Sequence, residues 1–199
     1  MEVSQAIRSR RAVRDFTNAP VSVATLRQVI AAASWAPSAM NGQPWHFTVV
    51  TDAALLDRIS DEAKAWALSN TPQLRQSDHF RDLLSDPAFH LLYNAPALIV
   101  ISAPAEGPWA VEDCAVAAQN LMLAAVELGL GTCWIGFAQG WLASEDGRRL
   151  LNLPDKRVIA PITIGYPRAP APVVARKAVM LSWIGERPAA SEPPAQTAH

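Results

Sequence analysis

The sequence predicts an α+β domain in which a small central sheet, mixed or antiparallel, is flanked by helices. Five segments have helical periodicity or helix caps, and four short apolar segments are typical of strands. Because these segments do not alternate as regular β-α-β units, a doubly wound parallel sheet is not indicated. The 199 residues, of which 50% are hydrophobic and 18% charged, suffice for one domain with a sizeable core.

In the N-terminal half, Ser22 and Asp52 each precede an apolar helical stripe and can cap its first turn. Pro37 ends the helix that begins near Ser22. Residues 70–90 are polar and interrupted by proline, which is typical of a partly helical excursion or lid. The other expected elements are helices over 3–9, 22–35 and 52–68 and a strand over 45–50.

In the C-terminal half, segment 109–128 is apolar nearly all round, so we expect a helix buried on most sides, in part by a second subunit. The proline-rich residues after Gly165 predict a C-terminal extension that stays ordered by wrapping around the partner subunit. We expect one domain over 1–189 and a disordered tail over 190–199. The remaining expected elements are strands over 97–102, 132–137 and 157–164 and a helix over 144–151.

Charge and cysteine content exclude several classes of protein. The net charge is −1, without the basic excess of a nucleic-acid-binding domain. Cys114 and Cys133 form no CxxC pair and no zinc-type cluster, which favours a reducing compartment. The N-terminus lacks the apolar core of a signal peptide, and no stretch is apolar enough for a membrane span. We therefore expect a soluble, cytoplasmic protein with no metal, nucleic acid or membrane partner.

Four arginines, Arg8, Arg10, Arg11 and Arg14, lie close together near the N-terminus. The guanidinium group presents a fork of donors that suits phosphate. In the alternative interpretation these arginines are solvated at a helix end, where the helix dipole favours cations. The pair Arg176-Lys177 is a candidate for the same site only if the C-terminal extension folds back toward the arginine cluster.

Two segments, one with two prolines and one rich in glycine, are candidate ligand contacts. The loop over 36–45 holds small and amide side chains between two prolines, which suits a neutral planar heterocycle; an ordinary connection is the alternative. Segment 129–136 contains GxG, but it follows a helix and precedes a strand, the reverse of a Rossmann turn. We expect it to bring backbone N–H groups close to a ligand, with Trp134 nearby.

No side-chain nucleophile or general base is indicated. The sequence has no GxSxG or GxxxxGK[ST] motif, and its four histidines have no metal-ligand spacing. His79 and His90 fall in the expected lid and could face a substrate.

These motifs, in this order, resemble those of the FMN-dependent nitroreductase family, over roughly residues 3–185. The resemblance rests on Arg10-Arg-Ala-Val-Arg14-Asp-Phe, on Ala36-Pro-Ser-Ala-Met-Asn-Gly-Gln-Pro-Trp-His-Phe47, on Ala118-Gln-Asn-Leu121 before Gly129-Leu-Gly-Thr-Cys-Trp-Ile-Gly136, and on Ile164-Gly-Tyr-Pro167 with Arg176-Lys177 downstream.

The resemblance implies a nitroreductase-like fold and a homodimer with FMN sites at the subunit interface. Arg10 and Arg14 match basic cofactor-binding positions with Arg11 between them, whereas Ala12 stands where the family usually has Ser. Trp134 is expected near the ligand, and Arg176 matches a phosphate-binding position. The other implied contacts are Pro37, Ser38, Ala39 and Asn41, which cover the flavin ring from the other subunit, and Ile135 and Gly136, whose backbone faces the N5 edge.

The resemblance also implies a function: oxidation of NAD(P)H and ping-pong transfer of hydride through FMN to a nitroaromatic, a quinone or a related small electron acceptor. The flavin carries out such chemistry, so no catalytic side chain is expected. Three alternatives stay open at this point. They are a specialised flavin reaction on the same fold (reductive dehalogenation, dehydrogenation or flavin cleavage), a flavin-binding protein without turnover, and an arginine-dependent nucleic-acid binder.

Overall fold

The computed structural model describes residues 1–71 and 77–185 and contains a four-stranded antiparallel sheet with helices on both faces. The strand order is β1-β2-β4-β3. The α+β class is confirmed. The sequence predicted a mixed or an antiparallel sheet, and the sheet is antiparallel. The expected disordered tail over 190–199 lies outside the described residues. The strands are β1 (His46–Val50), β2 (Ala97–Pro104), β3 (Gly131–Trp134) and β4 (Lys156–Gly165).

Helix positions follow the caps predicted from the sequence. Ser22 Oγ accepts a hydrogen bond from the Thr25 N–H at 3.0 Å, and the Asp52 carboxylate accepts one from the Leu55 N–H at 2.8 Å. Each satisfies a donor that the first helical turn leaves unpaired. The helices of the described residues are α1 (Val3–Ser9), α2 (Val23–Ala33), α3 (Ala53–Asn70), α4 (Asp78–Ser85), α5 (Ala110–Glu127), α6 (Gly136–Ala143) and α7 (Glu145–Leu150).

The sheet separates two apolar clusters. Ile99 and Ile101 of β2 pack with α2 and α5, whereas Leu98 and Val100 of the same strand pack with α3 and α6. Successive side chains of a strand point to opposite faces. Because helices cover both faces, β2 is apolar at every position from 97 to 101 instead of alternating.

The strand expected over 132–137 is too long. It ends at Trp134, and α6 begins at Gly136, a helix that the sequence analysis missed. The residues buried from α6 are Ala138, Trp141 and Leu142. Trp141 and Leu142 follow Ala138 by three and four residues, which is a helical spacing. Because an apolar run precedes them, the sequence alone did not distinguish this helix from a longer strand.

The two glycines of the GxG in segment 129–136 have structural roles in the described chain, and the expected approach of this segment to a ligand stays a prediction. Gly129 adopts φ +71° just after α5, and the Leu130 N–H donates to the Ala125 carbonyl at 2.8 Å, which is a Schellman-type helix end. A Cβ on Gly131 would lie 2.6 Å from a methyl carbon of Val13. The second glycine therefore allows the N-terminal segment to pack directly on β3.

The segment over residues 12–16 meets β3 and the residues just after β4 at this edge of the sheet. Ala12 pairs with Thr132 as an isolated parallel bridge, which places the arginine-rich segment beside β3. Arg168 binds back to the N-terminal segment, through Nε to the Asp15 carboxylate at 3.0 Å and through Nη2 to the Phe16 carbonyl at 2.8 Å. Beyond it, residues 172–185 are exposed and contain neither helix nor strand, as expected for the extension.

Helix α5 is buried only in part by this chain, and its expected cover by a second subunit stays a prediction. Its inner side, including Cys114, Ala118 and Leu121, packs on the sheet, but Val111 and Val116 are exposed. The described part of this chain therefore leaves apolar side chains of α5 in contact with solvent. No helix within residues 1–71 and 77–185 has the length and apolar character needed to cross a bilayer.

We predict that Gly140→Ala destabilises the protein. A Cβ at this position of α6 would lie 2.1 Å from the Trp66 ring of α3, so the two helices could not keep their contact. The expected loss is about 1–3 kcal/mol of unfolding free energy, measured by urea denaturation of the cofactor-free protein. Gly136→Ala is the matched control, because a Cβ there meets no described atom within 4 Å. Equal stability of the two variants would contradict the helix packing described here.

Candidate functional site

A cavity of about 1100 Å³ lies between α3, α4, α6 and the end of β3. Much of its wall is aromatic, and the Phe80 and Phe137 rings meet edge to face with centroids 5.6 Å apart. Such a wall suits a planar ligand that is largely apolar. The aromatic side chains lining it are Trp66, Phe80, Phe89, Tyr93, Trp134 and Phe137.

Helix α3 holds one side of this cavity in place through polar side chains on a single face. Ser60 Oγ accepts from the Leu91 N–H at 2.8 Å, and Lys64 Nζ donates to the Phe89 carbonyl at 2.8 Å. Ser60 and Lys64 are both buried, and their spacing of four places them on one face of the helix. These bonds fix residues 89–91 against α3 and thereby fix Phe89 in the cavity wall.

His90 organises the neighbouring turn. Its Nε2 lies 3.2 Å from the Asp57 carboxylate, and its Nδ1 accepts from the N–H groups of Leu92 and Asn94 at 3.1 and 3.3 Å. Within this turn Tyr93 has φ +56°, a conformation that is costly for a bulky residue. The turn thus places the Tyr93 ring at the cavity. Of the two histidines expected to face a substrate, His79 lines the cavity, and His90 has this structural role instead.

Arg14 supplies positive charge at the cavity wall, with its guanidinium carbon 6.0 Å from the Tyr93 ring centroid. Burial raises the pKa of Tyr93, and the charge of Arg14 opposes that rise. Burial also raises the pKa of Cys133, against the charges of Arg14 and Arg10. Both arginines therefore act electrostatically at the end of β3, where the sequence analysis expected a ligand.

The start of α6 presents backbone donors to the same cavity. The Ile135 N–H is bonded to the Pro161 carbonyl at 2.8 Å, whereas the N–H groups of Gly136 and Phe137 have no acceptor among the described residues. The first N–H groups of any helix lack a partner within the helix. Gly136 has open space where a Cβ would stand, so a ligand can approach its backbone.

A second cavity of about 410 Å³ lies beside the first and has Arg14 in common with it. Arg11 and Ala12 line it on one side, and residues 169–172 at the start of the extension line it on the other. The N- and C-terminal segments thus form this smaller cavity together.

The loop over 36–45 has a strained backbone that is held from α5. Met40, Asn41 and Gln43 all have φ between +46° and +55°, which is uncommon outside glycine. The buried Asp113 carboxylate of α5 accepts from the Ala39 N–H at 2.9 Å. Strain of this kind persists only where the surrounding structure imposes it, and it is concentrated at functional sites.

The single chain brings together only part of the predicted site. Arg14, Trp134, Ile135 and Gly136 line the large cavity, while Arg11 and Ala12 line the smaller one. Arg10 lines neither cavity, although its charge lowers the pKa of Cys133 against the effect of burial. Within the described part of the chain, the predicted residues that line neither cavity are Arg10, Pro37, Ser38, Ala39, Asn41 and Arg176.

Sequence reasoning missed several residues of the cavity wall. Phe89 lies in the segment predicted as a lid, and Tyr93 follows that segment. Their aromatic character was a signal that could have placed them in the wall of a ligand cavity. Trp66 falls within the helix predicted over 52–68, where an aromatic residue is ordinary. Arg157 falls in a predicted strand, and no local pattern distinguishes it.

Comparison with known proteins decides the family. The profile of the nitroreductase family matches residues 7–166. The chain belongs to the nitroreductase family. This confirms the resemblance found in its motifs, and with it an oxidoreductase enzyme.

Individual relatives span most of the chain. A Methanothermobacter thermautotrophicus protein provisionally named NADH dehydrogenase/NAD(P)H nitroreductase is 30% identical over 84% of this chain and 78% of its own length. An iodotyrosine deiodinase of Thermotoga neapolitana is 26% identical over 88% of this chain and 94% of its own. The crystal structure of a Bacteroides fragilis nitroreductase with bound FMN superposes with a TM-score of 0.76, at 28% identity over 90% of this chain and 95% of that one.

We predict that Asp113→Ala loosens the strained loop. The Ala39 N–H would lose its acceptor, at a cost of about 1–3 kcal/mol for a partly buried donor. Amide hydrogen exchange over residues 37–43 should then become faster by one to two orders of magnitude, as read by mass spectrometry. Asp113→Asn keeps a carbonyl oxygen at this position and should retain most of the protection. Wild-type exchange rates in the Ala variant would show that Asp113 does not hold the loop.

Proposed function

We propose that this protein is an FMN-dependent NAD(P)H oxidoreductase that reduces a small planar acceptor such as a nitroaromatic or a quinone. The observation that carries the proposal is the aromatic cavity bordered by Arg14 and by the free backbone donors of α6. The family supports it, as does the FMN bound in the Bacteroides fragilis relative. The provisional name of the Methanothermobacter thermautotrophicus relative supports NAD(P)H as the reductant.

The residues present fit FMN. The open space at Gly136 and the free N–H groups beside it suit the polar edge of a flavin ring. Arg14 borders both cavities, so it would lie beside the ring, with Trp134 in the wall next to it. Arg10, Arg11 and, from the extension, Arg176 would hold the phosphate, for which guanidinium groups are well shaped.

Bound FMN would accept hydride from NAD(P)H at N5 and pass it to the acceptor, a two-electron chemistry that the side chains cannot supply themselves. Arg14 stabilises the negative charge that arrives with the hydride, because its own positive charge is fixed beforehand at the site. The aromatic wall would shield the bound flavin ring from water on one side. With hydride transfer assigned to the flavin and charge stabilisation to Arg14, the proposed reaction needs no catalytic nucleophile, and none is among the predicted residues.

The proposal includes a homodimer. Large apolar side chains are exposed on α1, after α2, on the strained loop and before α5: Ile7 is 53% exposed, Trp35 86%, Met40 99% and Trp109 57%. Exposed apolar residues of this number favour burial against another surface. A second copy of the chain would bring its loop residues Pro37, Ser38, Ala39 and Asn41 over the flavin, and its extension would wrap around the first copy. Sedimentation at micromolar concentration tests this, and a monomer with full flavin content would contradict it.

A specialised acceptor is the second candidate within the same fold. The iodotyrosine deiodinase of Thermotoga neapolitana covers most of the chain, and an aromatic wall suits a halogenated ring as well as a nitroaromatic one. Release of iodide from 3-iodotyrosine by the reduced protein distinguishes the two. A flavin-binding protein without turnover would release no product from any acceptor.

We also propose a cytoplasmic location and a single domain over 1–189. Both cysteines are buried free thiols, and burial raises the pKa of Cys114 to about 11. Thiols of this kind fit a reducing compartment.

The purified protein should be yellow and should release FMN on heating, identified by its mass. It should oxidise NADH or NADPH when menadione or a nitroaromatic is supplied. A colourless preparation that takes up no added FMN would contradict the proposed function. A flavoprotein that shows no turnover with either reductant would contradict it as well.

We predict that Arg14→Ala weakens FMN binding by roughly 10- to 100-fold, the scale of one hydrogen bond to a charged group. It should also slow the reduction of the bound flavin by NAD(P)H, measured by stopped-flow bleaching. Arg8→Ala is the control, since Arg8 belongs to the same cluster but bonds to Ser4 on exposed α1. Normal FMN affinity and normal reduction rate in the Arg14 variant would rule out the role given to this arginine.

A further inference from the structure

The large cavity has a second positive end. Besides Arg14, its lining includes Arg157 from the beginning of β4. None of its described lining residues is an aspartate or a glutamate, and the sequence between residues 71 and 77, Pro-Gln-Leu-Arg-Gln, contains neither. Among residues 1–71 and 77–185, the cavity lining therefore carries positive charge and no acidic side chain.

Arg157 is available to a ligand. Within residues 1–71 and 77–185, no carboxylate lies within 4.0 Å of its guanidinium group. By contrast, Arg149 on α7 and Arg168 after β4 each bind a carboxylate of this chain. An arginine without a carboxylate, on the wall of an apolar cavity, is suited to bind an anion with a fork of donors.

The register of the sheet separates Arg157 from the flavin-binding end. The Ile135 N–H is bonded to the Pro161 carbonyl, which fixes β4 beside the start of α6. Arg157 precedes Pro161 by four residues, and at about 3.3 Å per residue this places it up to roughly 13 Å further along the strand. Arg11 and Ala12, at the proposed phosphate end, line the other cavity. Arg157 thus stands at the opposite end from the residues proposed for the cofactor phosphate.

We propose that Arg157 selects acceptors that carry an acidic group. The acceptor would be an aromatic carboxylate or a similar anion whose reducible group lies toward Gly136 and whose charge lies toward Arg157. The aromatic side chains of the same cavity wall, Phe80 and Phe137 among them, would contact its ring. This inference rests on the proposed oxidoreductase function and deepens it by naming the class of acceptor.

The test compares two acceptors of similar size, 4-nitrobenzoate and the neutral 4-nitrobenzyl alcohol, with the flavin-loaded protein. In the wild type kcat/KM should favour the benzoate. Arg157→Gln should raise KM for the benzoate roughly tenfold, because one charged contact is lost, and should leave the alcohol unchanged. Arg157→Lys keeps the charge and should retain part of the preference. Arg149→Gln, an exposed arginine outside this cavity, should behave as the wild type.

The outcomes separate this inference from the proposed function. Turnover of the alcohol without any preference for the benzoate overturns the role of Arg157 and leaves the oxidoreductase intact. No turnover of either acceptor in a flavin-loaded wild type points to failure of the proposed function itself. Loss of FMN affinity in Arg157→Gln, measured by flavin fluorescence, would assign Arg157 to the cofactor. A rise in KM for NADPH but not for NADH would assign it to the 2′-phosphate of the reductant, and either result overturns the inference.

Discussion

The packing of residues 12–17 along β3 and the end of β4 is the constraint on which the rest of the site depends. The Val13 N–H donates to the Thr132 carbonyl at 3.0 Å, and the Thr17 N–H donates to the Tyr166 carbonyl at 2.8 Å. Between these bonds the buried Phe16 ring anchors the segment. Arg14, which projects from it, reaches the cavity only because this backbone is fixed. The same contacts direct the C-terminal extension past Arg11, so that one interaction assembles the borders of both cavities.

The second support of the cavity comes from α3. Helices are usually held to a core by apolar stripes, but this one also uses the polar side chains of Ser60 and Lys64 to bind the backbone of residues 89–91. A buried lysine is costly unless it is paired, and Lys64 is compensated by the Phe89 carbonyl and by the Asp61 carboxylate at 3.3 Å. The wall carrying Phe89 and Tyr93 is thus specified by directional bonds as well as by packing.

Much of the fold could be predicted because its signals are local. The caps at Ser22 and Asp52 act within three residues, and the proline after Ala36 acts on its neighbour, so helix boundaries follow from short-range chemistry. Helix α6 was not predicted because its first residues continue the apolar run of β3. A short apolar run shows neither the helical nor the strand periodicity of its side chains.

The candidate site was predictable only where motifs mark it. Arg14 and Gly136 belong to recognisable segments, and the structure places both at the cavity. Trp66 and Arg157 reach the same cavity through the packing of α3 and the sheet register, which no local pattern encodes. Loop residues such as Ser38 line neither cavity of the single chain, and only the proposed homodimer would bring them to the site.

The bond between Arg168 and Asp15 joins residues 153 positions apart, and this separation bears on how the protein is made. During synthesis the arginine-rich segment leaves the ribosome early, but the strands it must pack against are among the last to emerge. Contacts between such distant residues close late in folding, after the helices and the inner strands have formed. If the protein binds FMN as proposed, binding is expected to follow completion of the chain, and nascent or C-terminally truncated molecules should lack the flavin.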